Sequence, residues 1–134
     1  MLRAMMIADL RSEPSLAPLL SSYKGYPAIF WMSRPARSQL PGVTLQSISS
    51  GTLYSQEGAA KLRSRRVQVD AWSLNVSSEA PVAFDAVRKV IERGFTDRWR
   101  GFSLDDERDT YEDLDADRRI FRTSGDFMIW YQET

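Results

Sequence analysis

Cysteine and histidine are both absent from this 134-residue chain. Their absence removes a disulfide framework, a thiolate nucleophile, an imidazole base and a zinc site of the usual Cys/His type. Any chemistry would rest on carboxylates, lysine or hydroxyls. Long apolar runs are missing as well. The longest, such as Ala28 to Met32, have the length of a core strand, and the opening "MLRAMMIADLRSE" carries Arg3, Asp9 and Arg11, so it reads as neither a signal peptide nor a membrane span. There is no "GxxxxGK[ST]" phosphate loop and no "GxGxxG". The segment "GFSLD" lacks the second glycine of a nucleophile elbow and has no histidine to serve it.

What is present suits one ordinary soluble domain spanning residues 1–134. Hydrophobic residues make up 43 % and charged residues 27 %, close to globular averages, and a chain of this length can bury a real core unaided. Net charge is zero but unevenly spread. The stretch "DDERDTYEDLDADRR", residues 105–119, sets eight carboxylates against three arginines, which leaves minus five there and plus five elsewhere. A basic cluster of Lys61, Arg63, Arg65 and Arg66 is its counterpart. A molecule with separated patches of both signs can meet copies of itself head to tail, although a solvated face is the plainer reading of each.

Along the chain, Leu2, Met6 and Leu10 fall at i, i+4 and i+8, which predicts a short amphipathic helix. Ser12 and Ser15 are candidate caps around a further turn at Leu16 to Leu20. Gly25-Tyr26-Pro27 signals a turn before the apolar strand "AIFWM". Pro35 and Pro41-Gly42 bracket a loop, "VTLQSIS" reads as a strand, and Ser50 to Leu62, with Gly51 and Gly58, reads as a long connector suited to contacts. Residues Arg65 to Ser73 alternate cleanly, with Val67, Val69 and Ala71 on one face and Arg66, Gln68, Asp70 and Trp72 on the other. A helix follows, opened by Ser77 or Ser78, Glu79 and Pro81, striped by Ala83, Phe84, Val87, Val90 and Ile91, and stopped at Gly94.

Trp99 to Leu104 then predicts a short strand leading into the acidic stretch, taken as a connector. The last strand is apolar on both sides, with Phe127, Ile129 and Tyr131 on one and Met128 and Trp130 on the other. Such a strand must be covered twice, by a helix on each face or by a neighbouring subunit. Unevenly interspersed helices and hairpins make the class α+β, a mainly antiparallel sheet packed with two or three helices.

The acids do not complete a metal site. Asp113, Asp115 and Asp117 have the two-residue spacing that opens a calcium loop, but the sixth position is Arg118 where glycine is needed and the twelfth is Ser124 where a bidentate Glu belongs. The segment "KLRSRR" could touch phosphate, yet zero net charge argues against autonomous nucleic-acid affinity. The four tryptophans, at 31, 72, 99 and 130, are spread through predicted strands, as core or interface packing requires.

Several segments in their order resemble the tail-completion or tail-terminator proteins of long-tailed bacteriophages, prophages and gene transfer agents. These are "LPGVTLQSIS", "RRVQVDAWS", the helix, "DDERDTYED" and the closing "DFMIWYQ"; the most specific pieces are Val67 to Trp72, Asp106 to Tyr111 and Asp126 to Tyr131. The resemblance implies a virion protein with no enzymatic activity and no cofactor. It implies a ring, usually of six copies, on the head-proximal end of the tail tube, which stops tube growth and receives the head connector. The partners implied are the chain itself, the tube protein and the connector, with DNA passing only transiently and no membrane. Candidate contact residues are Arg63, Arg65 and Arg66 on the basic side, Asp106, Glu107, Arg108 and Asp109 on the acidic side, and Tyr54 and Gln56 in the connector. The rival readings are another neck component, such as a head-completion protein, and a small enzyme using carboxylates and a metal.

Overall fold

The computed structural model describes residues 2–35, 38–55, 58–93 and 99–132, with side chains described throughout except at 2, 49–55, 58–63, 99–102 and 131–132. Helix α1 (Leu2–Arg11) and a single 3₁₀ turn (Ala17–Leu19) precede strands β1 (Ser22–Tyr23), β2 (Tyr26–Pro27), β3 (Ile29–Trp31), β4 (Gly42–Ser55) and β5 (Gly58–Leu74). Helix α2 (Glu79–Arg93) and strands β6 (Trp99–Asp113) and β7 (Arg119–Gln132) complete the order. The result is the α+β class expected, with a five-stranded sheet ordered β3-β4-β5-β7-β6, antiparallel throughout except for the β3/β4 pair.

Both helices form on the apolar stripes read from the sequence. Met6 and Leu10 of α1 are fully buried, and every stripe residue of α2 is buried, with Glu79 at its positive end. The serine caps are a correction. The Ser12 hydroxyl bonds the carbonyl of Asp9 at the end of α1 (3.1 Å), and the Ser15 hydroxyl bonds Glu13 Oε1 (3.1 Å). The 3₁₀ turn has Leu16 at its N-cap, with no side-chain hydrogen bond. Gly94, the expected stop, lies outside the described residues. Strands β1 and β2 pair through Lys24 and Gly25, both at positive φ (51° and 88°), the geometry of a two-residue hairpin whose strands keep their natural twist.

The alternation of β5 sets the two faces of the sheet. Val67, Val69 and Ala71 stand opposite Phe127, Gly125 and Thr123 of β7 and opposite Ser47, Leu45 and Val43 of β4, so all of these share one face. That face carries α1, α2 and the main hydrophobic cluster. Gly125 permits the closest approach: a Cβ there would lie 2.5 Å from Phe84 Cζ and 2.9 Å from Leu104 Cδ1. The Phe84 ring therefore rests directly on the β7 backbone, with the Phe127 ring 6.0 Å away.

Three sequence expectations about the sheet need correction. Ser50 to Leu62 is not a loose connector: β4 and β5 remain paired to Ser55↔Gly58, a hairpin whose outer part pairs with no other strand among the described residues. Its Ser/Thr/Gly-rich sequence has no clear apolar period to read. The strand "AIFWM" is shorter than expected, ending at Trp31 with Met32 at φ 76°. The last strand does not have a helix on each face. Met128 and Trp130 of β7 lie half-buried on the helix-free side, while Phe127 and Ile129 enter the core.

Candidate interaction surface on the sheet

The acidic stretch is strand, not connector, as far as Asp113. Residues 103–113 of β6 pair with β7 from Met128 to Arg119, interrupted by one bulge between Asp105 and Arg108 in which Asp106 adopts φ 54°. Carboxylates have low strand propensity, but β6 is the outermost strand, so its charges reach water while its backbone pairs on one side. Only residues 114–118 connect β6 to β7. There Asp115 Oδ1 accepts from the Asp117 amide (2.9 Å) and Asp115 Oδ2 from Arg118 Nε (2.8 Å), and Arg118 holds the Asp115 carboxyl below its ordinary pKa. Asn75 closes the same end of the sheet: its amide donates to the Arg119 carbonyl (2.8 Å), and its Oδ1 accepts from the Arg119 amide (2.7 Å).

Most of these acids are answered inside the subunit. Arg119 Nε reaches Asp113 Oδ1 at 2.5 Å, Arg108 reaches Asp106 Oδ2 at 2.9 Å, and Thr123 Oγ1 donates to Asp109 Oδ1 at 2.6 Å. Exposed pairs of this kind contribute little stability, but they spend the charge. Among the described residues, Glu107, Glu112 and Asp117 make no ion pair.

The basic cluster divides across the sheet. Arg66 lies on the helix-free face, 3.7 Å from Asp105 Oδ2 and 3.9 Å from Asp126 Oδ2. Arg65, opposite Ile129, is on the helix-bearing face, with Nε shut away from solvent and without a hydrogen-bond acceptor. The backbone of Arg63 pairs with Thr52 and Tyr131, and that of Tyr54 with Ala59 near the hairpin tip. Gln56 lies outside the described residues. The structure thus places Asp106, Glu107, Arg108 and Asp109 on one exposed strand, while Arg65 and Arg66 lie on opposite faces of the sheet.

Around Asp70 and Trp72 the helix-free face carries a polar network. Asp70, 5 % exposed, accepts both from Gln68 Nε2 (3.0 and 3.1 Å) and from the Ser124 hydroxyl. Trp72 Nε1 donates to Thr44 Oγ1 (3.0 Å), which lays the indole across the sheet toward β4. Two guanidinium groups lie over that indole: Arg122, its cross-strand neighbour on β7, at 5.3 Å from the ring centroid, and Arg34, from the loop after β3, at 5.5 Å. Burial lowers the pKa of Arg34, though an arginine remains a cation at neutral pH.

Neither Arg34 nor Arg122 has a carboxylate within ion-pair distance among the described residues; Arg122 Nε donates only to Thr110 Oγ1 (3.3 Å). Sequence reading missed this trio, because its members are separated by 38 and 50 positions and meet only through the Trp72↔Arg122 register. The clean alternation that puts Trp72 on the polar face was its one visible sign.

Among the described residues no three carboxylates converge on a metal position, and no helix is long and apolar enough to cross a membrane. Fold and surface together define a class: a small α+β subunit whose sheet leaves one helix-free face and one acidic margin open to other molecules. The family model described as "Tail completion protein gp17" matches residues 4–132, and the chain belongs to that family. It is a structural component of a phage tail, in a setting where it associates with other virion proteins. Seventeen chains of solved structures match it. One, from the "Virion of native gene transfer agent (GTA) particle", superposes with a TM-score of 0.71 at 16 % identity, covering 98 % of this chain and 95 % of that one. At that identity the likeness is one of fold. No curated protein matches the chain.

Proposed function

We propose that copies of this protein close into a ring of about six on the head-proximal end of the tail tube, stop its growth and give the head connector its docking surface. The role is mechanical, with no catalytic residue and no cofactor. Family membership over nearly the whole chain carries the reading, and the β4–β5 arm gives it a physical basis. Beyond Leu62, whose partner on β7 is Gln132, the described pairing of the arm is Tyr54↔Ala59 and Ser55↔Gly58. A two-stranded ribbon is marginal by itself in water and persists when something covers it. In this reading the arm and its root, from Tyr54 and Gln56 to Arg63, Arg65 and Arg66, meet the tube or the connector. The β6 margin, at Asp106, Glu107, Arg108 and Asp109, meets the next copy. DNA would touch the lumen only in passing.

Particles made without this protein should carry tails of uncontrolled length and no heads. Tails of normal length that merely fail to join filled heads would assign the protein to the head side of the neck instead. In solution, light scattering should find a species near 92 kDa, six times the 15.3 kDa chain. Charge reversal at Arg63, Arg65 and Arg66 should weaken attachment to tails; unchanged attachment would remove the arm's root from the contact.

A further inference from the structure

Resting on the ring reading, we propose that the Arg34–Trp72–Arg122 cradle on the helix-free face receives the acidic β6 bulge of a second copy, with Glu107 as its leading carboxylate. Two guanidinium groups held over one indole have no anionic partner among the described residues, which is the condition for binding a carboxylate from outside. Glu112 lines the depression beside Arg122 without an ion pair to it, and two guanidinium groups against one carboxylate leave the cradle net positive.

Beside it runs a depression of about 530 Å³ that Arg34 shares, walled by Leu40, Leu74, Leu114 and Ile120. Leu74 and Leu114 are 38 % and 45 % exposed. An apolar rim of this kind excludes water from an ion pair and raises its worth.

Charge complementarity selects the occupant. Glu107 stands exposed in the bulge of the outermost strand, and among the described residues it makes no ion pair. The two patches are distinct. Glu107 sits in the bulge between Asp105 and Arg108, level with the stretch from Asp126 to Ser124, whereas the cradle lies level with Arg122 and Trp72, two to four residues or roughly 7–13 Å along the strands. A contact between two different patches is heterologous and propagates from copy to copy until a ring closes. Among the described residues of the helix-free face, Arg34 and Arg122 are left without a carboxylate, whereas Arg66 is occupied by Asp105 and Asp126 and Arg65 faces the helix side.

The test compares wild type, Arg34→Gln/Arg122→Gln and Glu107→Gln by light scattering over a concentration series, with folding checked by near-ultraviolet circular dichroism. Both variants should raise the concentration needed for ring formation about tenfold or more, and added salt should raise it for wild type. Combining Arg122→Glu with Glu107→Arg in one chain should restore assembly that either reversal alone abolishes. Glu107→Gln removes no ion pair or side-chain hydrogen bond among the described residues, so its failure to weaken the ring overturns the proposal whatever the arginine variants do. Intact rings of the arginine variant that no longer attach to tails would assign the cradle to another virion protein and overturn the second copy as its occupant. A wild type that stays monomeric at every concentration overturns the self-assembling ring and this contact together, whereas an unaffected ring in the variants overturns this contact alone.

Discussion

Replacing Gly125 by alanine tests how the helix layer is seated on the sheet. The new methyl carbon would lie 2.5 Å from Phe84 Cζ, 3.1 Å from Phe84 Cε2 and 2.9 Å from Leu104 Cδ1, where carbon pairs settle at roughly 3.5–4.0 Å. Leu104 is half-buried on the outermost strand and can turn aside. Phe84 is 1 % exposed and held against Phe127, so its ring must withdraw by about 1 Å and take α2 with it. Overpacking of this kind costs about 1–3 kcal/mol, and the smaller conformational entropy of the unfolded alanine chain returns about 0.4–1. A net loss of about 1–2 kcal/mol remains, which lowers the melting temperature by roughly 4–8 °C in a domain of this size.

Thermal and urea unfolding followed by tryptophan fluorescence would measure that loss. A double-mutant cycle with Phe84→Leu supplies the control. The leucine substitution costs about 1–2 kcal/mol alone, but it clears the space, so the pair should cost less than the sum by about 1 kcal/mol or more. A Gly125→Ala protein as stable as wild type, or strictly additive costs, would refute the close packing of Phe84 on β7.

Thr44→Val removes the acceptor of Trp72 Nε1 and should cost about 1–2 kcal/mol while blue-shifting part of the tryptophan emission; unchanged stability and emission would mean that the indole is not held there. Asp9 has one carboxylate oxygen shut away from solvent without a hydrogen bond, and burial raises its pKa. Its ionised form opposes folding above that pKa, so Asp9→Asn should raise the melting temperature modestly at neutral pH, by an amount that vanishes as the wild-type carboxyl is protonated in acid. Glu13 runs the other way. Its hydrogen bond from Arg93 lowers its pKa, so the stability it lends is present at neutral pH and lost as pH falls through the folded value. Arg93→Ala should therefore destabilise at pH 7 and converge on wild type in acid, and a gap independent of pH would refute the coupling.

The parts of the fold legible in the sequence are those where burial writes a period. The two-residue alternation of Val67, Val69 and Ala71 and the helical stripe from Ala83 to Ile91 each follow from one face meeting the core. The β4–β5 arm and the acidic half of β6 read as connectors for a common reason: neither carries an apolar alternation in its sequence, and runs of Ser, Gly, Asp and Glu resemble loops. The two apolar sides of β7 were visible, but sequence does not say which side the helices take. Asp106, Glu107, Arg108 and Asp109 were found because like charges adjacent in sequence stay adjacent on a strand. Arg34 and Arg122 were not, since only the register of three strands and a loop assembles them around Trp72.

The left-handed residue at Asp106 bears on what happens when many copies are made in one cell. A fifteen-residue strand at a sheet margin offers unpaired amides and carbonyls on which a further strand can add, and such addition has no built-in end. In β6 the bulge breaks the row of donors and acceptors near its middle, and the carboxylates at 105, 106, 107 and 109 repel the same strand of any incoming copy. The margin is thereby closed to fibril-like stacking and left open to side chains that bring positive charge. A subunit whose proposed task is to end one polymer is built so that it does not seed another.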